Sequence, residues 1–218
     1  GEWAACRFPH ETITVGETLA AYAEQEYGRV TTCIPNGVAA PDLRAARAPS
    51  AQDALRALGC TSGQYLLVVS RFVAHKDIHR VITAVRQLRR ERPDLAYVQL
   101  AIVGASAHTE VYGADLQRAA GGDPAIRFLG QRTGRVLDAL YANCLAFVHA
   151  SRSEGLPIVL LEAAAAGAVP IVSDIPEHQE VIAKVGGFMF RAGDAWDLQT
   201  KLEVLCAARA ALPTIGAD

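Results

Sequence analysis

Apolar residues along the chain fall into two alternating spacings. Short runs of β-branched and aliphatic residues recur at 13–15 (ITV), 31–34 (TTCI), 65–70 (YLLVVS), 97–104 (YVQLAIVG), 125–130 (AIRFLG), 145–150 (LAFVHA), 169–173 (VPIVS) and 187–190 (GFMF). Runs of this length and composition predict strands. Between them ETLAAYAEQEYG, IHRVITAVRQLRRER, VYGADLQRAA, RVLDALYANC, IVLLEAAAAG and WDLQTKLEVLCAARA place apolar residues three and four apart, the spacing of helices buried along one face. Strand and helix alternate throughout, which predicts an α/β fold built on a doubly wound parallel sheet.

The rhythm is interrupted once. Residues 37–63, GVAAPDLRAARAPSAQDALRALGCTSG, are rich in Ala, Pro and Arg; they read as a linker with one short helix after Ser50, taken as its N-cap. Residues 1–36 then hold a strand, a helix and a second strand, too little to bury a core alone. Residues 64–218 form the main domain.

Composition narrows the class. Of 218 residues 51% are hydrophobic but only 6% aromatic, so the core is expected to be aliphatic, as in helix-covered parallel sheets. The formal net charge is −2 and the basic residues form no long block, so the footprint of a nucleic-acid binder is missing. Five scattered cysteines, Cys6, Cys33, Cys60, Cys144 and Cys206, offer neither a disulfide framework nor a zinc spacing. The longest apolar run, LPIVLLEAAAAGAVPIV, is broken by Glu162, Gly167 and two prolines, so no membrane span is expected. With no signal pattern at the start, a reduced, cytoplasmic protein is expected, with peripheral attachment at the membrane face through a missing domain as the alternative. The absence of an initiator methionine suggests a piece of a longer chain.

In such sheets ligands lie beyond the carboxyl ends of the strands, where helix N-termini offer free amides. Three loops qualify. RFVAHKD after the third run places Arg71 and Lys76 on one strand-to-helix turn, two cations suited to a diphosphate, although a solvated loop has the same composition. SRSEGLP after LAFVHA carries Ser153, Glu154, Gly155, Leu156 and Pro157 ahead of a helix containing Glu162. Gly155 permits close backbone approach, Pro157 suits a first helical turn, and the carboxylates can accept from sugar and ribose hydroxyls. A carboxylate within LLEAAAAG is costly to bury unless something donates to it; Glu154 reads equally as an ordinary exposed loop residue. The third loop, IVGASAH, has the single glycine Gly104, a weak phosphate-loop signal. Neither a P-loop nor a dinucleotide fingerprint occurs.

Together these segments resemble the retaining glycosyltransferases of the two-domain, Rossmann-like GT-B architecture, the glycosyl transferases group 1. SRSEGLPIVLLEAAAAGAVPIVSDIPEHQEVI resembles the family's donor signature of two glutamates with seven residues between them, here Glu154 and Glu162. VVSRFVAHKDIHRVITAV resembles its Arg and Lys clamp, IRFLGQRTGRVLDALYANCLAFVHAS the elements framing the base, and CIPNGV the entry from the acceptor domain. The resemblance implies that the chain is the C-terminal, nucleotide-sugar-binding half of that architecture, with residues 1–36 a remnant of the acceptor domain. It implies diphosphate contacts for Arg71 and Lys76, a ribose contact for Glu162, a donor-sugar contact for Glu154, backbone amides at Gly155 and Leu156, and the base near Phe128, Leu129 and Gly130. Two departures touch the phosphate side: Asp77 stands where glycine usually follows the lysine, and Gly104 lacks a second glycine.

The resemblance implies a metal-independent site without a resident cofactor, with the nucleoside-diphosphate sugar as substrate, and no D-x-D triplet occurs to set against it. Among the histidines, His75, His149 and His178 are read as structural or solvent-facing in preference to ligand contacts. The expected activity is sugar transfer with retention to an unidentified acceptor, with the missing N-terminal domain as partner and the present chain inactive alone. Rival readings are a sugar-nucleotide epimerase of the same architecture and an inactive nucleotide-binding or regulatory module.

Overall fold

The computed structural model describes residues 2–106 and 110–210. Helix α1 (Glu2–Arg7) leads into β1 (Ile13–Thr14), α2 (Glu17–Tyr27) and β2 (Thr32–Cys33); α3 (Leu43–Ala46) and α4 (Pro49–Ala57) follow. The main domain runs β3 (Tyr65–Val69), α5 (Ile78–Glu91), β4 (Gln99–Val103), α6 (Glu110–Ala120), β5 (Ile126–Gly130), α7 (Gly134–Asn143) and β6 (Ala146–His149). It ends with α8 (Ile158–Ala165), β7 (Pro170–Ser173), α9 (Pro176–Val185), β8 (Phe188–Phe190) and α10 (Ala195–Ala210). The last eight residues assigned to this domain, 211–218, lie outside the described residues.

The six strands β3 to β8 form one parallel sheet in the order β5-β4-β3-β6-β7-β8. Counted within the sheet, that is third, second, first, fourth, fifth, sixth, the Rossmann order, with its switch point between β3 and β6. β3 shows why these runs carry no polar alternation: all five residues of YLLVV are buried. Leu66 and Val68 face one core with Ile82, Val85 and Leu88 of α5 and Leu198 and Leu202 of α10. Tyr65, Leu67 and Val69 face the other, with Leu55 of α4, Leu140 of α7, Leu160 of α8 and Val181 of α9.

Outside the sheet the sequence reading needs three corrections. The N-terminal residues Glu2–Arg7 are helical, an element missing from the strand, helix and strand expected in residues 1–36. Ser50 is not an N-cap: α4 starts at Pro49, whose fixed φ suits a first helical position, and Ala48 is the cap. A further short helix, α3, went unread; the Asp42 carboxylate caps it by accepting from Ala45 N at 3.0 Å. Asn143, at the end of α7, holds this stretch against the domain by donating to the Ala46 carbonyl at 2.9 Å and accepting from Gln52 at 2.6 Å. On the other flank, Glu180 of α9 accepts from the amides of Glu17 and Thr18 at 3.2 Å each, an acidic cap from the main domain onto the first turn of α2.

Candidate functional site

The loops leaving β3 and β6 diverge at the switch point, and the structure joins them there. Lys76 ends a single 3-10 turn (Ala74–Lys76) before α5; Glu154 lies in the loop before α8. The Lys76 ammonium is in direct contact with Glu154 Oε1, and both side chains are 11% exposed, so Glu154 is no ordinary exposed loop glutamate. His149, the last residue of β6 and 2% exposed, places Nε2 2.7 Å from the same carboxylate oxygen. Burial disfavours the Glu154 carboxylate, but hydrogen bonds with His149, Lys76 and Ser151 and the electrostatic pull of His149 outweigh it and hold its pKa well below the usual range.

Behind this pair lies a second, fully buried imidazole. His178 of α9 sets Nδ1 2.9 Å from the Ser173 carbonyl, so Nδ1 carries the proton and Nε2 is a lone pair, which has no hydrogen-bond partner among the described residues. Burial first, and then the neighbouring His149, pushes the His178 pKa down to about 4, so the ring is neutral at pH 7. Its ring meets His149 edge to face at 5.1 Å between centroids. Ligand-type atoms of His149, Glu154 and His178 lie within 4.8 Å of one another, a donor set that a divalent cation could use. In this arrangement the carboxylate carries the Lys76 ammonium in that role.

The remaining predicted residues fall into two groups. Glu162, half-buried on α8, accepts a 3.0 Å hydrogen bond from the Tyr141 hydroxyl of α7, the donor that a carboxylate within LLEAAAAG requires. The Tyr141 pKa is raised, first by burial and then by the Glu162 charge. Arg71 is exposed, and no ion pair joins its guanidinium to another described residue. Ser153 and Gly155 are exposed and Leu156 half-buried; an added Cβ at Gly155 meets no atom within 4 Å. Pro157 is the N-cap of α8 rather than a residue of its first turn.

Phe128, Leu129 and Gly130 belong to β5, two strands away from β3 across β4, so the structure does not bring them against Lys76 and Glu154. They adjoin Gly104: its amide donates to the Gly130 carbonyl at 2.9 Å, and Phe128 meets Phe72 edge to face. Gly104 is needed for space as well as for its φ of 143, since a Cβ would stand 1.8 Å from the Ser70 carbonyl oxygen. The end of that loop, 107–109, lies outside the described residues.

Sequence reasoning missed His149 and His178 as parts of the site, as well as Tyr141. His75, by contrast, is exposed, as read. A histidine closing a buried strand five residues before Glu154 was the available signal; nothing in the sequence marked the tyrosine. All five cysteines are free. No helix among the described residues is long and apolar enough to cross a membrane.

Comparison with known proteins agrees with this fold. HepE of Anabaena, solved with UDP and glucose, superposes with a TM-score of 0.79 at 24% identity over 95% of this chain and 55% of its own. An α,α-trehalose-phosphate synthase of Burkholderia vietnamiensis, described as UDP-forming, gives 0.72 at 16% identity, over 90% of this chain and 52% of its own. The sulfoquinovosyl transferase SQD2 of Arabidopsis thaliana is 37% identical over 130 residues, covering 56% of this chain and 24% of its own length. The chain thus spans about half, or less, of the proteins it matches. The family model for glycosyl transferases group 1 matches residues 60–210, from the end of α4 through the whole sheet to α10, and the chain belongs to that family.

Proposed function

We propose that this chain is the donor-binding half of a retaining glycosyltransferase that takes a nucleoside-diphosphate sugar and transfers the sugar to an acceptor held by a separate domain. The observation that carries the reading is the Lys76, Glu154 and His149 network at the switch point. A diphosphate brings at least two negative charges to a site that must partly desolvate it, and Lys76 and Arg71 supply compensation there, with the α8 N-terminus adding its dipole. Donor binding transfers Lys76 from Glu154 to the phosphates, and Glu154 is then free to accept from the sugar hydroxyls. As the glycosidic bond breaks, the same cations stabilise the leaving diphosphate in the place of a metal ion. Glu162, oriented by Tyr141, accepts from the ribose. UDP is the base carrier of choice for a first test because HepE was solved with it. On this reading the chain alone binds donor, in a reduced cytoplasmic setting, and transfers nothing.

The two glutamates separate in a calorimetric titration. Glu162→Gln is expected to weaken UDP and UDP-glucose alike, by about 1–3 kcal/mol for a lost charged hydrogen bond. Glu154→Gln is expected to spare UDP and weaken the sugar nucleotide, and wild-type binding is expected to survive EDTA. Equal weakening of both ligands by Glu154→Gln removes it from the sugar, and loss of binding in EDTA with recovery in magnesium transfers the phosphate role to a metal at the His149, Glu154 and His178 donors.

A further inference from the structure

Asp77 is the one non-glycine residue with positive φ among the described residues, at φ 48 and ψ 29. It occupies the N-cap of α5, where an aspartate ordinarily turns its carboxylate onto the helix amides. Here it makes no cap hydrogen bond. The side chain is 1% exposed instead, with Oδ2 2.5 Å from Nε of Arg152 in the loop after β6. Oδ1 has no hydrogen-bond partner among the described residues, and His79 Nε2, at 3.8 Å, belongs to a ring whose pKa burial lowers. Arg152 is thus the principal charge facing this carboxylate. A left-handed conformation and a buried charge are both unfavourable for an aspartate, and a helix cap needs neither.

Arg152 holds the β3 loop at a second point: its backbone amide donates to the His75 carbonyl at 2.8 Å. The two attachments fall on His75 and Asp77, on either side of Lys76, and both start two residues before Glu154. Lys76 otherwise stands on one 3-10 turn whose N-terminus has no side-chain cap. We propose that Asp77 and Arg152 form a clasp that positions Lys76 at the switch point and thereby sets the preference of the site for a nucleoside diphosphate over a monophosphate. Both are positioning residues: they fix the origin of the lysine stem, and the ammonium meets the ligand. The inference rests on the donor-site reading above.

The test titrates UDP and UMP into the whole chain by calorimetry, with circular dichroism to confirm folding. Asp77→Gly suits a left-handed backbone and removes the carboxylate. It is expected to raise the UDP Kd about fivefold or more while leaving the UMP Kd within about twofold, since only the diphosphate uses Lys76 fully. Asp77→Asn, which tolerates the same backbone and retains an acceptor for Nε, is expected to recover most of the UDP affinity. Should Asp77→Gly not fold, Arg152→Lys carries the same expectation, because a lysine keeps the charge and loses the Nε geometry. An unchanged UDP Kd, or equal losses for UDP and UMP, overturns the clasp. The donor-site reading fails separately: Lys76→Ala then leaves UDP binding unchanged, and a wild-type chain that binds no UDP overturns both.

Discussion

The carboxyl edge of the sheet is built in two ways. At β6 and β7 side chains do the work: His149 and Ser173 end the strands, and their neighbours Glu154, Lys76 and His178 form a connected buried network. At β4 and β5 the backbone does it: Gly104 bonds to Gly130, the Phe72 amide to the Ala105 carbonyl at 3.0 Å, and the two glycines adopt φ of 143 and 68. On the donor-site reading proposed above, the difference matches what each edge holds: a diphosphate and a polyhydroxylated sugar demand charges and acceptors at fixed points, whereas a flat base is met by close-approaching main chain. Charged and hydrogen-bonding side chains are concentrated at the switch point and beyond it toward β7, and discrimination between bases then leaves few side chains to read.

If the network is a true unit, breaking it from one side has the largest effect in the molecule. Lys76→Met leaves the buried Glu154 carboxylate with His149 as its main partner, and the expected cost is about 3–5 kcal/mol of unfolding free energy. The double variant Lys76→Met with Glu154→Gln removes the orphaned charge and is expected to regain most of that loss. Urea titrations of the wild type, both single variants and the double variant decide it: additive losses mean that the residues touch without being coupled.

On the other side of the comparison, Gly104→Ala puts a Cβ into the Ser70 carbonyl oxygen at 1.8 Å. The strain and the clash together are expected to cost about 3 kcal/mol. Hydrogen exchange is expected to locate the damage at the ends of β3, β4 and β5 and to leave the amides around His149 protected. Damage spread evenly across the sheet means that the two edges are not independent.

This division also explains what the sequence could and could not convey. The sheet was legible because β3, β4, β6 and β7 are continuous apolar runs between helices of clear amphipathic spacing. The second periodicity faded in the connecting stretch, where Ala48 caps α4 without a side-chain signal and Asp42 caps a helix of only four residues. Lys76, Arg71 and Glu154 were legible as charges in the loops after strands, and Glu162 as a carboxylate within an apolar helix. Their pairings were not: Glu154 with His149, Glu162 with Tyr141 and Asp77 with Arg152 each join segments that only the parallel topology or a loop reversal brings together. Arg152 drew no reading from the sequence, and Asp77 stood out only as a departure from glycine on the phosphate side.

The smallest expected effect is a pH dependence confined to the side-chain edge. His178 is neutral in the fold with its pKa pushed down to about 4, against an ordinary value of 6.5. Between these values the unfolded chain binds the proton and the folded chain does not, so stability falls as pH is lowered through this window. The contribution is fully present above pH 6.5, declines below it, and levels off under pH 4. From pH 7 to pH 5 the expected loss from this residue is about 2 kcal/mol. His178→Asn keeps a donor for the Ser173 carbonyl but cannot titrate, so its stability is expected to fall about 2 kcal/mol less over the same interval. Other groups that titrate there, such as His79, are common to both proteins and cancel in the difference. Urea midpoints at pH 7 and pH 5 supply the measurement. Parallel losses in the two proteins mean that the folded ring accepts its proton as readily as the unfolded one, and the bare Nε2 lone pair behind Glu154 then has to be given up.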